Sequence, residues 1–169
     1  MGTGSLEISV HRGSESGFSR ELDREINAFL EACPESFSQQ TPSWREVITE
    51  VDRDEAVFFL CRRGDDDGRL VGLLPTYRFE GPLGSILTSV PLPGPLGGVA
   101  YVAGEDHAPI VAALLDACLA WARSSKSDLV SLITNPFRPD ADLYAEVQAP
   151  DFILDNALHA LDLREDVAE

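Results

Sequence analysis

Tyr77 and Arg78 stand side by side, and Tyr101 follows a glycine-rich turn that carries Gly94, Gly97 and Gly98. A tyrosine hydroxyl can position a nucleophilic amine or donate a proton, and glycines let a backbone take conformations or close approaches that side chains forbid. The same residues have plainer readings: Tyr77 and Arg78 as solvated residues at a strand end, and the glycines as turn formers. Other chemistries find no support in the spacing. Cys33, Cys61 and Cys118 are far apart, lie among apolar residues and form neither a CxxC nor a Cys/His pair of zinc spacing, so they read as small buried hydrophobes. His11, His107 and His159 are equally scattered, and no metal site can be built from them. Neither Ser89 nor Ser131 stands in a nucleophile elbow. No carboxylate pair suited to glycosidase chemistry stands out among the 29 acids.

Those acids dominate the surface chemistry. Against 13 basic residues they give a formal net charge of −16, with Lys126 the only lysine. Such a surface repels phosphate backbones, which argues against direct nucleic-acid binding. The 169 residues, 44% hydrophobic and 25% charged, suit one globular core that buries about 70% of the unfolded surface. No apolar run approaches the ~18 residues of a membrane span. Residues 1–7 lack the basic and apolar regions of a secretory leader, so a cytoplasmic address is expected.

The elements that must position the candidates follow from periodicity. Residues 6–11 alternate with Leu6, Ile8 and Val10 on one face and predict a strand. Phe18, Leu22, Ile26, Phe29, Leu30 and Cys33 recur at helical spacing, with Ser19 as the cap and Pro34 as the stop. Thr41-Pro42 opens a second helix in which Trp44, Val47, Ile48 and Val51 form the buried stripe and Arg45 points away from it. The apolar run 56–61, the turn 65–68 and residues 70–74 predict a hairpin, followed by a strand over 85–90 that Pro91 and Pro93 cut off. A long helix is expected over 106–125, burying Ile110, Leu114, Ala117, Cys118 and Trp121. A strand over 128–134, a helix over 140–148 and one or two last strands over 152–163 complete the chain. The order β-α-α-β-β-β-α-β-α-β predicts an α/β domain with a mixed sheet of six or seven strands and helices on both faces.

This order resembles the GNAT-type (acyl-CoA N-acyltransferase) fold as a single domain over 1–169. Within that superfamily, Phe37-Ser38-Gln39-Gln40-Thr41-Pro42-Ser43-Trp44 looks like the F-x-Q-s-x-x-W opening of FemAB-like proteins, with one extra glutamine. Arg69-Leu70-Val71-Gly72-Leu73-Leu74-Pro75 looks like their G-x-x-v-G-v-L-P hairpin. Pro93-Gly94-Pro95-Leu96-Gly97-Gly98 resembles their R-G-P turn, with proline replacing arginine. The likeness covers 37–163. FemAB-like transferases carry two GNAT-like halves, so the resemblance implies an amino-terminal half, with residues 161–166 as the lead-in to a second.

The implied function is acyl or aminoacyl transfer, this chain being the half that binds an acceptor from cell-wall or polysaccharide assembly. Two alternatives stand beside it: a single-domain N-acetyltransferase using acetyl-CoA, and a binding module without catalysis. By resemblance, Trp44 lines the acceptor cleft and Arg45 helps hold an anionic acceptor, although the helical stripe equally places Trp44 in the core. Tyr77, Arg78 and Tyr101 are the remaining substrate-side candidates; no catalytic residue is assigned. In GNAT enzymes a Q/R-x-x-G-x-G/A turn at the start of the long helix holds the pyrophosphate of acetyl-CoA on backbone N–H groups. The corresponding stretch here, 98–106, lacks that motif and ends in Glu105 and Asp106, which disfavours acetyl-CoA. The apolar side chains of 152–163 are expected to stand at an uncovered edge, where a second copy or a second GNAT-like half would pack.

Overall fold

The computed structural model describes residues 5–13, 17–33, 35–51, 55–64, 68–89, 96–104, 106–138 and 140–155. The expected Pro34 stop, the acidic tip 65–67, Pro91, Pro93, Gly94, Glu105 and residues 156–163 lie outside them.

The middle of the sheet comes from two apolar runs, β2 (Glu55–Arg63) and β3 (Leu70–Gly81), paired antiparallel with Phe59 opposite Leu74 and one register shift between Cys61 and Arg62. Phe58, Phe59 and Leu60 are all fully buried, as a strand covered on both faces requires. β1 (Leu6–Arg12) pairs antiparallel with β2, and β4 (Gly84–Thr88) folds back on the far end of β3. A two-residue strand, β5 (Ala100–Tyr101), also pairs with β3, opposite Gly72 and Leu73. The chain therefore leaves the flank of β3 after Thr88 and returns to it at Ala100. A crossover through α3 (His107–Ser124) places β6 (Leu129–Ser131) parallel to β4, giving the strand order β1-β2-β3-β4-β6.

Helices cover both faces. α1 (Arg20–Glu31) and α2 (Pro42–Val51) lie over Ala56, Phe58, Leu60, Leu73 and Tyr77. Ser19 caps α1 as expected, accepting from the Leu22 N–H at 3.1 Å. On the other face α3 and α4 (Ala141–Gln148) pack on Val57, Phe59, Cys61, Val71, Leu74 and Leu87. α3 comes close because Gly72 sits beneath it: a Cβ there would stand 2.4 Å from Ile110 Cγ2. All three cysteines are buried free thiols, and burial pushes Cys33 and Cys61 up to about 11 and Cys118 up to about 12. They serve as small core residues.

The structure corrects two expectations. α2 is turned so that Pro42, Arg45 and Ile48 face inward, while Val47 and Val51 are exposed. Reading arginine as a surface residue misplaces the stripe, because Asp23 on α1 receives this guanidinium inside the α1–α2 seam. Residues 152–155 form no strand: Ala149 ends α4 at a φ of +41°, and Phe152, Ile153 and Leu154 then run exposed. Among the described residues no helix is long and apolar enough to cross a membrane.

Candidate functional site

The residues singled out from sequence separate into three places. Trp44, Arg45 and Tyr77 come together beneath α1 and α2. Arg45 holds both Asp23 carboxylate oxygens, at 2.6 and 3.0 Å, and lies 4.1 Å from the centroid of the Phe18 ring with 8% of its side chain exposed. Phe18 meets Phe58 edge-on at 5.2 Å, and Phe58 meets Tyr77 likewise at 6.1 Å. Tyr77 is fully buried and its hydroxyl has no hydrogen-bond partner; burial pushes its pKa far up and nearby Arg45 pulls it back. Trp44 packs against the same cluster with its indole N–H buried and unpartnered. This is a core cluster closed to a substrate, so Arg45 does not present its charge to an acceptor and Tyr77 is not a solvated strand end.

Arg78 sits elsewhere. It pairs with Glu80 at 2.5 Å and lines a shallow groove of about 420 Å³ with Ser85, Lys126 and Asp128, beyond the carboxyl end of α3. Tyr101 lies on the α3 face with both ring contacts polar: His107 stacked at 5.1 Å and the Arg138 guanidinium 3.7 Å from the centroid.

At Tyr101, polar groups converge from many elements. Gly98 has a φ of +90°, and a Cβ there would stand 2.7 Å from the Ile133 carbonyl oxygen and 3.1 Å from the Asn135 nitrogen. The chain entering β5 is thus in backbone contact with the chain leaving β6. Two side chains fasten the contact. Gln40, 1% exposed, donates from Nε2 to the Gly98 carbonyl at 2.9 Å and accepts the Phe37 N–H on its own oxygen. From the opposite side the Val99 N–H donates to the Tyr144 hydroxyl at 2.8 Å. Ser89 closes the lower end, donating its N–H to Ser131 and accepting from the Ile133 N–H. We call this arrangement the clasp.

Beside the clasp, buried Asn135 donates to the Glu35 carbonyl at 2.8 Å, and Arg138 pairs with the Glu35 carboxylate at 2.7 Å while donating to the Tyr101 carbonyl at 2.9 Å. Asp140, at the start of α4, is 1% exposed and neither of its carboxylate oxygens has a hydrogen-bond partner. Burial pushes its carboxyl up to about 6, while Arg138, its own backbone N–H and His107 pull it down. Burial likewise raises Tyr144. A carboxyl that titrates near neutrality can take up and return a proton. A tyrosine whose oxygen is already engaged as an acceptor keeps its own O–H to donate.

The sequence pointed to Tyr101, Gly97 and Gly98 here but missed Gln40, Asn135, Arg138, Asp140 and Tyr144. Gln40 is the extra glutamine of the 37–44 segment. Tyr144 had a local signal in its place on the apolar stripe of a short helix. The same 37–44 segment lines a groove of about 250 Å³ at the end of α1, with Asn27, Glu31, Phe37, Ser38 and Thr41 on its wall.

The described residues meet the needs of acetyl-CoA only in part. Its pyrophosphate needs free amides or cations at the start of α3. There Asp106 makes no side-chain capping bond, which leaves first-turn amides of α3 uncapped but sets a carboxylate beside them, and Arg138 is committed to Glu35 and Tyr101. Among the described residues no group of three His, Cys, Asp or Glu side chains could hold a metal ion.

No family model matches the sequence, and no curated protein matches it either. Solved structures do. A ribosomal-protein-alanine N-acetyltransferase from Brucella melitensis superposes with a TM-score of 0.58 at 15% identity, over 94% of this chain and 99% of that one. An aminoglycoside acetyltransferase from an uncultured soil metagenomic sample gives 0.58 at 13% identity, over 92% and 97%. A GNAT family acetyltransferase from Staphylococcus aureus gives 0.52 at 8% identity, over 94% and 99%. At these identities the likeness carries the fold: the chain is a GNAT-like α/β domain with a mixed sheet and four helices.

Proposed function

We propose that this chain is an acyltransferase unit of the GNAT type, passing an acyl group to an amine. The observation that carries the reading is the fold itself, shared over more than nine-tenths of the chain with solved acetyltransferases. Acyl transfer to an amine needs a group that takes the ammonium proton and one that returns a proton to the leaving group. Asp140 and Tyr144 are the ionisable groups beside the clasp, but both are closed off from solvent as Tyr77 is, so neither is assigned these roles.

The named neighbours favour a single-domain N-acetyltransferase over a FemAB-like half acting on a cell-wall or polysaccharide precursor. One specific observation favours the second reading. The clasp brings the chain before β5 against the chain after β6, and the start of α3 is acidic where a phosphate-bearing donor would sit. In that reading the chain binds the acceptor, with the groove beside Phe37 as its place. A second unit brings the donor, docked where Phe152, Ile153 and Leu154 stand exposed beside Asp151 and Asp155. A binding module without catalysis is the remaining alternative.

Titration calorimetry of the full chain with acetyl-CoA separates these readings. The single-domain enzyme requires binding in the micromolar range, about −8 kcal/mol, together with acetylation of a model amine. The acceptor-half reading requires no heat up to about 1 mM, and micromolar binding would end it. If the chain neither binds a donor nor supports transfer when a donor-binding partner is supplied, the acyltransferase proposal itself fails.

A further inference from the structure

Arg138 ties three segments together. From the loop between β6 and α4 it reaches the Tyr101 carbonyl in β5 and the Glu35 carboxylate after α1, with its guanidinium lying over the Tyr101 ring. Yet its Nε–H is buried without a partner, and two residues further on both oxygens of Asp140 are buried without one. An unpaired donor and unpaired acceptors on one short loop are each costly, and the cost is relieved for both when they meet. An arrangement that joins them would relieve both costs.

We propose that Arg138 has two seats, Glu35 and Asp140, and that the protonation of Asp140 selects between them, so that the charge on Asp140 sets how tightly the 35–41 segment is held against the clasp. With Asp140 neutral there is no charge to draw Arg138 from Glu35, which is the arrangement described above. Once ionised, Asp140 is a buried carboxylate beside a guanidinium, and it outcompetes a Glu35 side chain that is 39% exposed and readily solvated on release. The Glu35 end of the segment then loses its ion pair, while Asn135 and Gln40 keep their bonds to it.

The groups facing Asp140 are few and come from known directions. Arg138 shares its loop, His107 approaches from the start of α3, and Tyr144 lies one turn along α4. Glu35 holds Arg138 in the arrangement described. Arg138, a backbone hydrogen bond and His107 favour the ionised carboxyl and burial opposes it, which sets its pKa at about 6 with Arg138 on Glu35; pairing with Arg138 favours the ionised form further and brings the exchange below that value. His107 is a second ionisable group facing Asp140, so its contribution has to be separated from that of Asp140 by experiment.

The test is nitrogen-15 NMR on the full chain between about pH 4.5 and 8, a window that brackets the exchange, following the Arg138 Nε–H and the amides of residues 36–40. As the pH rises through the Asp140 titration, expected below about 6, the Arg138 Nε–H moves downfield and the amides shift with the same midpoint. Asp140→Asn abolishes both steps, and His107→Gln leaves both in place. The Asp140 side chain makes no capping bond to α4, so the substitution removes none. The carboxyl carbon of Asp140 in the unmodified chain gives a second reading that needs no variant: its titration must coincide with the Arg138 step. The two-seat proposal is overturned if the amides of 36–40 titrate unchanged in Asp140→Asn. It is equally overturned if His107→Gln removes the step, or if Asp140 titrates while the Arg138 Nε–H stays still.

Discussion

Replacing Asp140 by asparagine should make the protein more stable at neutral pH and leave it unchanged in acid. The folded chain holds the Asp140 proton up to a pH of about 6, whereas the ordinary carboxyl lets it go near 3.8. Between those values the folded state binds more protons than the unfolded one, so this group's contribution falls as pH rises through the window and is constant on either side. At about 1.36 kcal/mol per pH unit the full loss is about 3 kcal/mol. That figure applies if Arg138 stays on Glu35, and a move to Asp140 offsets part of it. The asparagine side chain carries no charge at any pH, and Asp140 makes no side-chain capping bond to α4 that the substitution could remove. Below pH 3.8 variant and parent should therefore melt together. By about pH 7 to 8 the variant should gain up to about 3 kcal/mol, or about 6–12 °C in Tm for a domain of this size. Urea unfolding and thermal melts at each whole pH from about 3 to 8 supply the measurement, and taking the difference at each pH cancels the other carboxylates. A difference that stays constant with pH, or a variant less stable than its parent at the alkaline end, would refute the reasoning.

Three further substitutions probe the two clusters. Gly98→Ala puts a Cβ against the Ile133 carbonyl at a φ of +90° and should cost about 2–4 kcal/mol in urea unfolding, since backbone rather than a movable side chain stands in the way; a neutral result would mean that the clasp is not closed. Arg45→Met leaves the Asp23 carboxylate partly buried without its guanidinium, and about 2 kcal/mol should be lost. A double-mutant cycle with Asp23→Asn should return most of that as coupling. Tyr77→Phe removes a buried hydroxyl that has no partner, so stability should be unchanged or rise by up to about 1 kcal/mol. A loss above about 1 kcal/mol would show that the hydroxyl is bonded.

What the sequence makes legible is whatever a short window contains. The helical spacing from Phe18 to Cys33, the Ser19 cap, the proline at the first position of α2 and the apolar run of β2 each declare an element locally, and each is found. The same local view fails where a distant partner overrides a residue's usual preference. Arg45 lies inside because Asp23, twenty-two residues earlier, is there to meet it. The strand expected over 128–134 contracts to Leu129–Ser131 because its neighbour β4 ends, and the chain that returns beside it at Gly98 offers close contact in place of a ladder. β5 has only two residues and exists because β3 is long enough to pair with both β4 and β5.

The site follows the same logic more strictly, since its parts are chosen by contacts that no window spans. The resemblance drew attention to the segment 37–44, and that segment does reach the place where the polar groups converge. It does so through Gln40, fifty-eight residues from the Gly98 carbonyl it holds, while Trp44 and Arg45 turn into the core. Hydropathy alone cannot choose among Gln40, Trp44 and Arg45, because an amide buried by two hydrogen bonds and a guanidinium buried by an ion pair both look like surface residues in one dimension. What distinguishes them is the partner each meets. Arg45 meets a carboxylate that satisfies it on both oxygens, which makes it structural. Arg138 keeps an unspent Nε–H beside the unspent carboxylate of Asp140, and in a buried cluster an unspent pair is the feature that leaves room for a second state.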